Sequence, residues 1–204
     1  MRPCMKRPHL YPAQLFALLA LSCSGPEVTR EVHDREGRVR ASVAWSGDHK
    51  EGPVKLFDAE GSTILHGHYT RDLRDGTWWG TARDGRPLRL EQYAEGRKHG
   101  LQCYWWPQGG LKRAERYAHG EPEGTLIRLR ADGRPEQLSE HHHGLQHGRH
   151  VRWWYTGDSL ASILMGGFHH GESTGRWTEI GADGRLIYAA DFERGSLVRM
   201  IKPR

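Results

Sequence analysis

Cysteine and long apolar runs are scarce in this 204-residue sequence. It contains three cysteines, and hydrophobic residues make up only 36% of the chain. No long helical pattern appears in it. Glycine, by contrast, is abundant, with 26 residues. This composition argues against a compact helical core and favours many short elements joined by turns.

An excess of one charge is also lacking once the N-terminus is set aside. Arg2, Lys6 and Arg7 lie in a segment without Asp or Glu, which we expect to be removed. The rest of the chain holds 27 basic and 25 acidic residues, a net charge of +2. Because the two signs are interspersed, no dense basic stripe exists to neutralise phosphates, and nucleic acid is not an expected partner.

Recognisable catalytic signatures are absent as well. The sequence has no nucleophile elbow, phosphate loop, HExxH motif or paired-carboxylate pattern. Its glycines recur at fixed intervals, so a chance match to a phosphate-loop pattern carries no weight. We therefore expect no enzyme, no cofactor and no small-molecule substrate.

The N-terminus has the layout of a secretory signal peptide. Tyr11 to Leu21 forms an apolar run of 11 residues, too short to span a bilayer comfortably. The order Ala20-Leu21-Ser22-Cys23 resembles a bacterial lipobox, which implies lipid attachment at Cys23 after removal of residues 1–22. Ser24 then implies an outer-membrane lipoprotein. The alternatives are cleavage after Ser24, giving a secreted or periplasmic protein, and an uncleaved anchor.

Cys103 is the one cysteine that would remain unmodified in the mature chain. Cys4 would be discarded and Cys23 acylated, so no intramolecular disulfide is expected in an oxidising compartment. Cys103 lies in a strand-like run, and we interpret it as a small buried apolar residue rather than a reactive thiol.

A 24-residue period organises the chain. Glycines recur at this spacing and are then delayed by three residues near Met165-Gly166-Gly167: Gly52, Gly76, Gly100, Gly124, Gly148 and Gly175. Nine residues after each comes another glycine: Gly61, Gly85, Gly109, Gly133, Gly157 and Gly184. Eight residues further on there is usually an aromatic residue or His: Tyr69, Tyr93, Tyr117, His141, with Phe168 after the delay and Phe192.

This pattern predicts one β-hairpin per unit. The Asp-Gly pairs supply the positive φ of a tight turn between two short strands. One hairpin cannot bury a core alone, so the units must stack side by side. We predict an all-β protein with an elongated single sheet of stacked hairpins. Residues 23–30 would be a short linker, 31–200 the repeat domain of about seven units, starting near 28, and 201–204 a tail.

The units resemble MORN repeats. GTWWGTARDGRPLRLEQYAEGRKHG and GRWTEIGADGRLIYAADFERG are similar to the bacterial, antitoxin-like variant with paired strands and an Asx-Gly turn. The resemblance covers about residues 30–200 and departs at His141, at Arg199 and at the three-residue delay. It implies a binding role for a protein partner, and MORN repeats are also linked to phospholipid contact.

Alternation along the strands separates two columns of side chains. One is apolar and is expected to form the core: Phe57, Trp79, Cys103, Trp105, Ile127, Leu129, Val151, Trp153 and Ile180. The other mixes aromatic residues with arginine, as in interface hot spots, and supplies the candidate binding residues: Trp78, Tyr104, Trp106, Arg128, Arg152, Trp154 and Trp177. The alternative is that both faces are covered and all the tryptophans pack internally.

Histidines form the densest group of possible metal ligands. His141 and His143 would share a strand face, with His147 after the next turn. No Cys, Asp or Glu completes a familiar spacing, so surface or structural histidines are the preferred interpretation, and His169-His170 is a weaker candidate. The expected function is an exported, lipid-anchored, non-catalytic scaffold that binds a protein partner. The alternatives are a phospholipid-associating module and an envelope metal protein or enzyme using His141–His150.

Overall fold

The computed structural model describes residues 27–201. These residues form one open antiparallel sheet of 16 strands in hairpin order, which confirms the all-β prediction. No helix among them is long and apolar enough to cross a membrane. The predicted signal peptide and lipid-attachment residue Cys23 lie outside the described residues.

Sixteen strands make up the sheet. The first eight are β1 (Glu27–His33), β2 (Val39–Ser46), β3 (His49–Phe57), β4 (Thr63–Thr70), β5 (Leu73–Thr81), β6 (Pro87–Ala94), β7 (Arg97–Trp105) and β8 (Leu111–Ala118). The others are β9 (Glu121–Pro122), β10 (Gly124–Leu129), β11 (Pro135–His142), β12 (Leu145–Thr156), β13 (Ser159–His169), β14 (Glu172–Gly181), β15 (Leu186–Glu193) and β16 (Ser196–Ile201). The strands follow chain order, with the short β9 paired to β8. Because β1 begins at Glu27, residues 27–30, which we assigned to a linker, lie in the first strand.

Two kinds of turn alternate along the sheet. At the Asp-Gly positions, as at Asp84-Gly85, the Gly85 amide donates to the Ala82 carbonyl at 2.9 Å and the Ala82 amide to that of Arg86 at 2.8 Å. This is a three-residue hairpin loop whose last residue has positive φ. At the other edge, Glu95-Gly96 and its equivalents have two consecutive positive φ angles, as in a type I′ turn.

The glycines that define the 24-residue period lie inside strands rather than in connections. Gly76 and Gly100 fall within β5 and β7, with φ angles of 62° and 80°. Each lies near a register shift, such as that between Glu91 and Tyr93 on the β6–β7 ladder. The period therefore counts β-bulges, at which an extra residue re-aims the strand.

The three-residue delay is absorbed by longer strands. β12 has 12 residues and β13 has 11, against eight or nine in most other strands. Their connection shortens to Gly157-Asp158, between Thr156 and Ser159. The extra residues thus extend the hairpin, and the sheet continues without interruption.

Burial is concentrated in one row of paired residues across the middle of the sheet, here called the central row. It consists of Val43, Val54, Gly67, Trp78, Glu91, Gln102, Glu115, Leu126, Ser139, His150, Gly166, Trp177 and Ala190. Apolar members cluster near both ends, where Val54, Leu65 and Trp78 form the main hydrophobic cluster with Tyr69 and Tyr93 against it. A single sheet has no second layer, so the core is made by side chains lying across neighbouring strands.

Candidate functional site

Trp78 and Trp177 belong to the core and not to an exposed binding surface. Trp78 is only 2% exposed and meets Tyr69 and Tyr93 edge-on, with ring centroids 5.1 and 6.3 Å apart. Trp177 is equally enclosed, between Phe168 at 5.1 Å and Phe192 at 6.4 Å. Our placement of these two tryptophans on a binding surface was therefore wrong. The repeat aromatic residues cover the indoles from both sides, as the internal-packing alternative proposed.

The opposite column is less buried than we predicted. Of its members Cys103 is buried, Trp79 and Trp105 are half-buried with centroids 5.7 Å apart, and Ile127 is exposed. Burial raises the pKa of the Cys103 thiol, consistent with an inert apolar residue. Alternation separates the two faces correctly but does not show which one its neighbours cover.

The middle of the central row is polar and buried, a feature that our sequence reasoning missed. Glu91 accepts a 2.8 Å hydrogen bond from the Tyr104 hydroxyl, and Glu115 pairs with the Arg113 guanidinium. Burial, and then the Glu91 contact, raise the pKa of Tyr104. Tyr104 therefore has a structural partner on the inner side of its row.

Several buried polar atoms in this region lack a hydrogen-bond partner among the described residues. They include Oε1 of Gln102, Nε of Arg113, Oε1 of Glu115 and Nδ1 of His150. Each such atom forfeits the hydrogen bond that it would make to water. The sheet thus has rigid apolar ends and a less favourable polar middle.

The remaining candidate binding residues do lie near one another. In the row beside the central row, Tyr104 pairs with Arg113, Arg113 with Arg128, and Gln137 with Arg152. Trp154 follows Arg152 by two residues on the same face. Across four strand intervals of about 4.8 Å, Tyr104 and Arg152 are separated by about 19 Å.

Trp106 joins this group at the ends of the strands. It directly follows β7, and its indole N–H donates to the Leu129 carbonyl at 3.2 Å, next to Arg128. Lys112 lies 4.4 Å from the Trp106 ring centroid. We call Tyr104, Trp106, Arg128, Arg152 and Trp154 the Trp/Arg surface.

Two features make the Trp/Arg surface suitable for binding. Trp154 is 42% exposed, and the Arg152 guanidinium lies 4.1 Å from its ring centroid, a cation–π arrangement that orients both groups. Among residues 27–201, neither Arg128 nor Arg152 forms an ion pair with an acidic side chain. The surface therefore combines an exposed aromatic ring with uncompensated positive charge.

The histidines divide differently from our prediction. His141 is half-buried near Glu115 and Arg113, and burial lowers its pKa. His142, His143 and His147 lie instead at the edge with the type I′ turns, where His169 and His170 of the next unit join them. The grouping of His141 with His143 and His147 as metal ligands is therefore wrong, because His141 alternates to the central face.

The second group is here called the histidine cluster: His142, His143, His147, His169 and His170. Its ring centroids are 4.1–5.8 Å apart for neighbouring pairs. One ring nitrogen each of His147, His169 and His170 lies within 4.8 Å of the others. Sequence spacing could not reveal this, since His169 and His170 are more than 20 residues from His147 and meet it only through strand pairing.

A comparison with known protein families found no match to the chain, and a search of curated proteins found no relative.

Proposed function

We propose that this chain is an exported, non-catalytic repeat scaffold that binds an acidic segment of a partner protein through the Trp/Arg surface. The observation that carries the proposal is the exposed Trp154 with Arg152 stacked on it, beside an unpaired Arg128. Trp and Arg are the residue types most enriched in interface hot spots. An acidic partner would neutralise guanidinium groups that the sheet leaves unpaired.

The resemblance to MORN repeats and the lipobox-like segment supply the rest of the proposal. The resemblance favours a binding role for stacked hairpins, and acylation of Cys23 would hold the scaffold at the outer membrane. A long regular sheet suits a scaffold, because strand pairing holds Tyr104 and Arg152 about 19 Å apart on one rigid surface.

Photo-crosslinking in envelope preparations tests this proposal. A photoreactive amino acid at position 154 is expected to give a discrete protein adduct, and one at exposed Ile187 near the far end of the sheet is not. The adduct should weaken in Arg128→Glu/Arg152→Glu and persist in Arg185→Glu, which is the matched charge reversal. Unchanged partner recovery by a folded Trp106→Ala/Trp154→Ala variant would contradict the proposal.

A phospholipid surface is the second candidate, because the same uncompensated arginines could contact anionic headgroups. Flotation with anionic vesicles distinguishes the two when residues 1–22 are deleted and Cys23 is replaced by Ser. Flotation that depends on Arg128 and Arg152 without an acyl chain would favour the lipid. Absence of flotation together with a protein adduct at position 154 would favour the protein partner.

A further inference from the structure

We propose that His147, His169 and His170 form a binding site for a divalent transition-metal ion of the Zn²⁺ or Cu²⁺ type. Their ligand-capable nitrogens lie within 4.8 Å of one another, so one ion can contact all three after small side-chain rotations. The site lies at a turn edge of the sheet, away from the Trp/Arg surface, and is independent of the proposed scaffold role.

The backbone holds the three residues in place. The turn carrying His169 and His170 packs against β12, where the Gly171 amide donates to the Gln146 carbonyl at 2.8 Å, adjacent to His147. His170 has a φ of 49° as the first residue of a type I′ turn. His147 is half-buried beside this turn, whereas His169 and His170 are exposed and can reach an ion from solvent.

The ligand set determines which metals fit. Three imidazoles are neutral nitrogen ligands, which suit Zn²⁺, Cu²⁺ and Ni²⁺ and are poor ligands for Mg²⁺ or Ca²⁺. Burial, together with repulsion from the neighbouring histidines, lowers the pKa of His147. Its ring is therefore deprotonated and able to bind a metal at neutral pH.

The orientation of His147 is compatible with coordination. The His170 amide lies 3.5 Å from Nδ1 of His147, at the long limit of a hydrogen bond, so this lone pair faces the turn. Nδ1 is an accepted metal ligand for neutral imidazole. An ion bound there would replace one long hydrogen bond with a coordinate bond.

His142 is the nearest candidate for a fourth ligand. Its ring centroid is 5.8 Å from that of His147, and its Nδ1–H donates to the Glu123 carboxylate at 2.8 Å. A carboxylate on Nδ1 fixes the tautomer and leaves the Nε2 lone pair free, as it does for many zinc-bound histidines. Glu123 also accepts a 2.9 Å hydrogen bond from the His143 amide, so the carboxylate is itself held in place.

A preceding unit contains the matched control. His99 and His119 occupy the positions of His147 and His170, with the same 3.5 Å contact from the turn amide to the ring Nδ1. Their third partner is missing, because Ala118 stands where His169 lies in the later unit. Two imidazoles alone should bind the same ions much more weakly.

Calorimetric titration of the full chain with ZnCl₂ tests the site, using protein that carries no added histidine tag. We expect one Zn²⁺ per chain in the wild type and in His99→Ala/His119→Asn. His169→Ala and His170→Asn should each raise Kd by about tenfold or more, Asn being chosen because it tolerates positive φ. Glu123→Gln should raise Kd on the order of tenfold through His142.

Electron paramagnetic resonance with Cu²⁺ provides a second readout, since three coordinated imidazoles give resolved nitrogen couplings. The expected spectrum loses nitrogen couplings in His169→Ala and keeps them in the His99/His119 variant. Absence of stoichiometric binding by the wild type would overturn the proposal. So would binding that persists unchanged in His169→Ala and His170→Asn, or that is lost equally in the control pair.

Discussion

The indole of Trp78 lies directly over the backbone of Gly67 on the neighbouring strand. A Cβ atom at Gly67 would lie 2.3 Å from the ring, far inside contact distance. The relationship recurs in a later unit, where a Cβ at Gly166 would lie 2.1 Å from Trp177. Glycine therefore provides the space in which each buried tryptophan lies flat on the sheet.

Adding a methyl group at Gly166 should destabilise the protein. We expect Gly166→Ala to lower the free energy of unfolding by about 1–3 kcal/mol, because Trp177 must leave its preferred position. Gly167→Ala is the matched control, since a Cβ there meets its nearest atom at 3.5 Å and should change stability by less than about 0.5 kcal/mol. Urea denaturation of both variants measures the difference, and equal effects would contradict the packing role of Gly166.

Truncating a buried and an exposed tryptophan should have very different effects on stability. Trp78→Ala is expected to cost about 3–5 kcal/mol, since it removes the centre of the cluster with Val54 and Leu65. Trp154→Ala should cost about 1 kcal/mol or less, because its ring is largely solvated. Thermal or urea unfolding compares the two. A large loss in Trp154→Ala would place that residue in the core and remove it from the Trp/Arg surface.

The ion pair between Arg113 and Glu115 should be costly to break from one side. Glu115 is 3% exposed, so Arg113→Ala leaves a buried carboxylate without its counter-ion, and we expect a loss of about 3 kcal/mol. Arg185→Ala is the control: its pair with Asp183 is solvent-exposed and should be worth at most about 0.5 kcal/mol. The double variant Arg113→Ala/Glu115→Leu should recover stability relative to Arg113→Ala. Failure to recover would show that the arginine acts through packing.

Stability should fall on mild acidification because of His150. Burial, and then Arg152 and His141, lower the pKa of His150 below its ordinary value near 6.5. The unfolded chain therefore binds more protons than the folded chain below about pH 6.5, and the free energy of unfolding decreases as the pH falls through that range.

Urea denaturation at pH 7.5 and pH 5.5 measures this dependence. We expect His150→Gln to reduce the difference between the two pH values, since Gln does not titrate. His141 contributes with the same sign, because burial lowers its pKa as well. An unchanged pH dependence in His150→Gln/His141→Gln would exclude both residues as its source.

One signal for the core was present in the sequence and not used. Gly67 precedes Trp78 by 11 residues, and Gly166 precedes Trp177 by the same interval, whereas Glu91, Glu115 and Ser139 stand at the glycine position in other units. A glycine paired with a tryptophan at this spacing marks where the ring lies flat. No comparable signal identified the histidine cluster, since its members come from different strands.

The sequence by itself determined the hairpin repeat, the all-β class and the positions of most turns, because Asx-Gly pairs and a 24-residue period are local features that adjacent residues specify. Only the tertiary structure decided which face is buried, since the cover comes from side chains on neighbouring strands. It also separated His141 from His143 and brought His147 to His169 and His170. Strand register made these contacts, and register depends on pairing between units that no single segment contains.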